Sequence, residues 1–446
     1  MTPSPDLLPG PVWMKKAWGY KENPFPQTGV ARLGGTDLRE NGLLFRRDVQ
    51  PELFKEAVEK FVLGPSYSGA KFGYLWSLGS GQETIGDYGA LGYGKSVLLQ
   101  DLVEEVNEDF GRNLLLEVGL DDEDADEHKL CAVLSSFDMA NARSLAAVFF
   151  EATRYACKFR RTEDTPTLAE RLRAELVERV KSDDPHDLHQ AVQDEVDRVR
   201  GRTLGPPIDE FIHHLCVGDA TQTGRYIEAV KSGARGRVQA ANYLATLLHF
   251  ARAAGIRHVL LGCDQLEDFA ASTTTKQKRV VETERFRDYV LELQPMADML
   301  SVIVTLHPRA EHAIGDIWRL ADLPDFDPNR PRNARHVVIL RELTEVDQVE
   351  RLFEPYLRAG RRSPEDHSDP LAPFTHEAVA EILGLTSGKA RDLLRAGYAL
   401  WEEGAAANWD RIDGSHVAAT LTSLDLAEDE DVVGVTNEST TAAIWE

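Results

Sequence analysis

The chain has 446 residues, 42% hydrophobic and 28% charged, the profile of a globular protein long enough for two or three packed units rather than a disordered one. Its 74 acidic against 50 basic side chains give a formal charge of −24, which argues against broad adhesion to nucleic acid or anionic membrane, although a local basic groove needs only a few Lys and Arg. No apolar run approaches the ~20 residues that cross a bilayer, no basic leader feeds an apolar core near Met1, and Cys131, Cys157, Cys216 and Cys263 are spaced for neither zinc nor a disulfide framework. A cytoplasmic, reduced setting without membrane contact is the expectation.

The first fifty residues are rich in Pro and Gly and read as an extended arm that packs its aromatic side chains onto a body. Pro51 to Val62 reads as a helix with Leu53, Ala57, Phe61 and Val62 on one face. The apolar Tyr74-Leu-Trp-Ser-Leu78 leads into a Gly-rich stretch ending at Lys95, and Leu98, Leu99, Leu102 and Val103 then form a helical stripe. Strand-length apolar runs follow at Leu114 to Val118 and Cys131 to Leu134, then a helix from about Ala142 to Lys158. The charged stretch from Thr165 to Arg200 is helical with a break near Asp183 to His186, and helices resume beyond Pro206-Pro207.

Three further strands are expected at His258 to Cys263, Leu300 to Thr305 and His336 to Leu340. Buried strands alternating with amphipathic helices signal a parallel α/β sheet. The domains expected are an N-terminal arm (1–50), a core (51–344) with a helical insertion at about 165–235, a helical lid (345–420) and an acidic tail (421–446).

Gly89-Ala-Leu-Gly92-Tyr-Gly94-Lys95-Ser96 matches GxxxxGK[ST] at every fixed position. Such a loop turns its backbone N–H groups around phosphate oxygens only where several residues adopt conformations that favour Gly. The helix opening at Lys95, Ser96 and Val97 points its positive end at the same phosphates. Lys95 supplies a point charge for the β and γ phosphates, and the Ser96 hydroxyl is a ligand for Mg²⁺. ATP with Mg²⁺ is therefore the expected ligand.

A P-loop enzyme also holds its magnesium shell with an Asp at the tip of a neighbouring strand. His258-Val-Leu-Leu-Gly-Cys-Asp264 supplies that pattern. A solvated acidic turn after a core strand is the blander explanation, and the P-loop weighs against it. Gln265 follows, able to orient a water but not to accept its proton as a carboxylate does. Glu267 is the nearest alternative base, so hydrolysis is expected to be slow or to serve a long-lived switch.

Together the Tyr20-Lys-Glu-Asn-Pro-Phe25 arm, the Gly86-Asp-Tyr-Gly…Gly-Lys-Ser96 loop and Asp264-Gln-Leu-Glu267 resemble AAA+ ATPases of the origin-recognition and ExeA/TniB-like branch. The P-loop ATPases of BREX-type phage-defence systems are similar as well. The resemblance runs from about residue 18 to 407, with no counterpart for 165–235. It implies a P-loop sandwich whose helical lid closes over ATP, a sensor residue at Thr305, and a lid arginine at Arg391. It implies a trans-acting arginine, Arg332 or Arg335, reaching a neighbouring subunit's ATP, hence an oligomer or hetero-assembly. It further implies a DNA-associated role in replication, transposition or phage defence, the alternative being a switch that recruits a protein effector.

Basic runs at Lys158–Arg161, Lys231–Arg237, Lys276–Arg279 and Arg358–Arg362 read as solvated faces more readily than as DNA contacts. His213, His214 and Cys216 lack further ligands at metal spacing and read as packing.

Overall fold

The computed structural model describes residues 9–28, 47–65, 71–77, 94–136, 144–162, 164–231, 237–264, 266, 275–306, 314–363, 369–386 and 388–421. They divide into two compact units, Gln50–Arg341 on one hand and Met1–Val49 with Glu342–Glu446 on the other.

The first unit is built on five parallel strands, β1 (Phe72–Ser77), β2 (Leu130–Ser136), β3 (His258–Asp264), β4 (Leu300–Leu306) and β5 (Val337–Leu340), in the order β2-β3-β4-β1-β5. Their residues are almost all buried, as a parallel sheet covered on both faces requires. This is why the strands read as unbroken apolar runs.

One face is covered by α1 (Lys95–Glu108), which touches β1, β2, β3 and β4. Gly262 makes that approach possible. A Cβ there would stand 2.7 Å from Leu134 and 3.1 Å from Leu99 of α1. On the opposite face Cys131, Val133, Val259, Leu261, Val302 and Val304 join a large core with Phe149, Phe250 and Phe286.

The exposed edge of β2 is protected by α1 as well. The Asn107 side chain donates to the Ala132 carbonyl and accepts from the Ala132 amide, both at 2.8 Å. A side chain thus stands where a sixth strand would pair.

The run Leu114 to Val118 is not a strand. Arg112–Glu117 is helical, opened by Gly111 in the left-handed region and by the Asp109 carboxylate accepting from the Asn113 amide. Leucines, which are not branched at Cβ, favour a helix once a cap is present, and Val118 alone in the run is β-branched. The helix expected from Ala142 runs as α2 (Ala147–Lys158), positions 142 and 143 lying outside the described residues.

The charged stretch forms α3 (Leu168–Val180) and α4 (Pro185–Arg198), and the helices beyond Pro206-Pro207 are α5 (Asp209–Val217), α6 (Ala220–Lys231) and α7 (Arg237–Ala253). Thr167 and Glu170 close a capping box on α3, and Asp184 with Pro185 opens α4. Leu172, Leu176, Leu188, Phe211 and Leu215 join the same core as the sheet. His214 lies against Tyr226 with ring centroids 4.5 Å apart. A further helix, α8 (Lys276–Leu291), precedes β4.

Burial holds the imidazoles of His249 and His258 at pKa values of about 4. Arg252 adds to this at His249, as do Lys71, His128 and Arg257 at His258. Both folded values lie below the unfolded 6.5, so their contribution to stability is complete above pH 6.5 and is lost as pH falls through 4. Each accounts for at most about 3 kcal/mol of pH dependence. Unfolding by urea between pH 7 and 4 is expected to show a steep acid loss that His249→Phe makes shallower. An unchanged acid limb in that variant would refute this.

The second unit is helical: α9 (Val346–Gly360), α10 (His376–Leu385), α11 (Ala390–Ala407) and α12 (Gly414–Leu421). The N-terminal arm belongs to it. Residues Gly10–Trp13 and Met14–Trp18 are helical, so the arm departs from the helix only after Gly19. Trp13 and Trp18 donate to the carbonyls of Trp409 and Asp410. Phe25 packs among Phe353, Tyr356, Phe374 and Trp401.

Arg361 corrects the reading of Arg358–Arg362 as a wholly solvated face. It is 4% exposed, and its guanidinium donates to the Tyr20 hydroxyl and to the carbonyls of Asp369, Pro370 and Ala372.

Candidate functional site

The strand order places a reversal at β1. The chain leaves β1 for β2 at the far edge, steps back through β3 and β4, and then crosses β1 to reach β5. In open α/β sheets the crevice beyond the strand ends at such a point is where ligands bind. Ser77 ends β1 there, Asp264 ends β3 and Thr305 is the penultimate residue of β4.

Register puts the three on one face. Leu75 pairs with Thr305, and Ser77 is two residues further along β1. Cys263 pairs with Val304, so Asp264 and Thr305 are the next step of the β3–β4 ladder. Asp264 also lies two residues beyond Gly262, whose open side faces Leu99 of α1. The site therefore sits on the face that α1 covers.

Helix α1 opens at this end. Gly94 takes φ +89°, a left-handed conformation suited to glycine, and brings no side-chain cap. No acid stands in the first turn, so the amides of Lys95, Ser96 and Val97 and the helix dipole favour an anion. The Lys95 ammonium donates to the Ser77 hydroxyl at 2.9 Å, which ties the helix start to the tip of β1. Gly89 and Gly92 lie outside the described residues.

Across the sheet, the Thr305 hydroxyl donates to an Asp264 carboxylate oxygen at 2.6 Å. Thr305 is 1% exposed and Asp264 is 5% exposed. A buried carboxylate oriented by one hydroxyl is a hard oxygen donor of the kind that Mg²⁺ or its water shell takes. The structure thus brings Asp264 and Thr305 into contact, as it does Lys95 and Ser77. Gln265 and Glu267 lie outside the described residues.

Arg332 precedes β5, its side chain 69% exposed and bound to Asp325 at 3.1 Å. Arg335 is exposed. Arg391 is the second residue of α11 in the helical unit, where burial lowers its pKa and its Nε has no hydrogen-bond partner among the described residues. The turn before it depends on Gly388, at φ +72° with its open side 2.3 Å from the Leu343 carbonyl oxygen. Helix α11 therefore starts at Ala390.

Sequence reasoning missed two residues. Ser77 was visible only as a polar residue ending an apolar strand. Gln100, one turn below Ser96 on the same stripe of α1, is 2% exposed with both amide atoms unpaired among the described residues. An unpaired buried amide costs about 1–3 kcal/mol. Gln100→Met is therefore expected to stabilise the fold by about 1 kcal/mol, read as a rise in the urea midpoint; a fall of that size would contradict it.

No protein-family model matches the chain, and no curated protein matches it in sequence. Among solved structures the chain is similar to the Aeropyrum pernix ORC2 protein in its ADPNP-ADP complexes. That likeness has a TM-score of 0.40 and 12% identity, covering 90% of this chain and 72% of that one. A likeness this loose leaves the fold to rest on the sheet itself. The core is an α/β sandwich built on five parallel strands.

Proposed function

We propose that the protein binds ATP with Mg²⁺ at the tips of β1, β3 and β4 and works as a nucleotide-dependent switch. The observation that carries this is the pairing of two motifs far apart in sequence at one sheet end. Lys95 sits on Ser77 at 2.9 Å and Asp264 on Thr305 at 2.6 Å, both on the face under α1. In this reading the loop amides and Lys95 hold the phosphates, and Ser96 and Asp264 hold Mg²⁺. Thr305 couples the γ-phosphate side to Asp264 through its hydroxyl.

Hydrolysis by Glu267, or through a water oriented by Gln265, is slow. Arg391 is the residue of the helical unit whose replacement should blunt the response to nucleotide, and Arg332 or Arg335 serves a neighbouring subunit in an oligomer. The expected test result is saturable ATP binding by the intact chain that weakens when EDTA removes Mg²⁺. No saturable binding at millimolar ATP would overturn the reading.

By resemblance the switch acts in a DNA-associated process, replication, transposition or phage defence. The charge of −24 favours the alternative, recruitment of a protein effector with little DNA contact. Sizing the protein with a slowly hydrolysed ATP analogue, with and without DNA, separates them. ATPase stimulation by DNA that falls steeply with salt supports the first, and indifference to DNA supports the second.

A further inference from the structure

A cleft of about 390 Å³ opens between the end of α2, the start of α3 and α6, lined by Lys158, Arg160, Thr167, Thr221, Arg225 and Glu228 among others. Its volume falls in the range of small-ligand pockets. Three cationic side chains face one carboxylate there, in a chain whose formal charge is −24.

The cations are held differently. Lys158 rests on Glu228 at 2.7 Å, and Arg160 on Glu170 at 3.0 Å and on the Thr165 carbonyl at 2.8 Å. Those partners fix their stems. Arg225 makes no hydrogen bond or ion pair among the described residues and feels Asp219 only through space. Asp219 itself is engaged with the amide and side chain of Gln222. A guanidinium unpaired among the described residues, beside two anchored cations and the exposed Thr221 hydroxyl, is suited to a doubly charged phosphate.

The cleft stands at the far end of α1 from Lys95. Tyr155 of α2 donates to Glu104 at 2.9 Å, and Arg171 of α3 donates to the carbonyls of Asn107 and Glu108 at the last turn of α1. Lys158 and Thr167 lie within one turn of those contacts. The 14 residues of α1 rise ~20 Å, which separates the cleft from the site at the strand tips.

We infer that this cleft binds a small phosphate-bearing molecule, separately from the nucleotide site. Three cations gathered at one short, open cleft fit this better than a nucleic-acid backbone, which needs an extended basic track. Inorganic pyrophosphate is the probe, titrated calorimetrically into the full chain carrying Lys95→Met, so that binding at the strand tips does not contribute. Saturable binding is expected, weakened at least tenfold by Arg225→Ala and by Lys158→Gln. Arg225 is exposed and unpaired, so its variant keeps the fold, which circular dichroism checks. Absence of binding in the Lys95→Met protein, or equal affinity with and without Arg225, would overturn the inference. Binding of a short single-stranded oligonucleotide that pyrophosphate fails to displace would overturn it too.

Discussion

Lys95→Met is expected to lower ATP affinity at least about a hundredfold, measured by equilibrium titration in the presence of Mg²⁺. Lys95 is the first residue of α1, and Ser77 holds its ammonium at the tip of β1. From there it exchanges one hydroxyl for phosphate oxygens. Each hydrogen bond to a charged group contributes about 1.5–3 kcal/mol, so two such bonds to the β and γ phosphates amount to roughly 3–6 kcal/mol. Methionine keeps the length and apolar stem of lysine, so the loss falls on binding rather than on folding. Ser77→Ala, which removes the hydroxyl that the ammonium rests on, is expected to change affinity by no more than a few fold. Unchanged affinity in Lys95→Met would sink the assignment of the loop.

The second large effect concerns Arg361. Arg361→Ala is expected to destabilise the helical unit by about 3–5 kcal/mol in denaturant unfolding, because three backbone carbonyls and the Tyr20 hydroxyl lose a buried charged donor together. Tryptophan fluorescence is a suitable probe, since Trp401 packs edge-on against Trp18 and Tyr20. Tyr20 donates to the Ala372 carbonyl at 2.6 Å, and burial raises its pKa to about 12 although Arg361 opposes this. It stays protonated as a donor. Tyr20→Phe should therefore cost less, about 1 kcal/mol. A loss below 1 kcal/mol for Arg361→Ala would show that the clasp is not what fastens the arm.

These two sites differ in how far the sequence disclosed them. The Lys95 pattern and the acid that ends β3 could be picked out of the sequence because the chemistry proposed for them demands fixed residue types at fixed spacing. The strands were legible because a sheet buried on both faces needs unbroken apolar runs, as in Val259 to Cys263. Leu114 to Val118 carries the same signal, but capping at Asp109 and Gly111 turned it into a helix, a local choice that hydrophobicity alone does not encode. Arg361 sits in a run of arginines indistinguishable from a solvated face, and its acceptors lie 8 to 11 residues downstream. The Lys95–Ser77 and Asp264–Thr305 contacts span 18 and 41 residues, and only the strand order brings these pairs to one end of the sheet.

The most direct test is a double-mutant cycle on ATP affinity with Mg²⁺, using Lys95→Met, Asp264→Asn and the two combined. If both side chains serve one bound nucleotide, the losses fail to add, with a coupling of at least about 1 kcal/mol. Losses that add to within about 0.3 kcal/mol, or no loss at all from Asp264→Asn, would contradict a shared site.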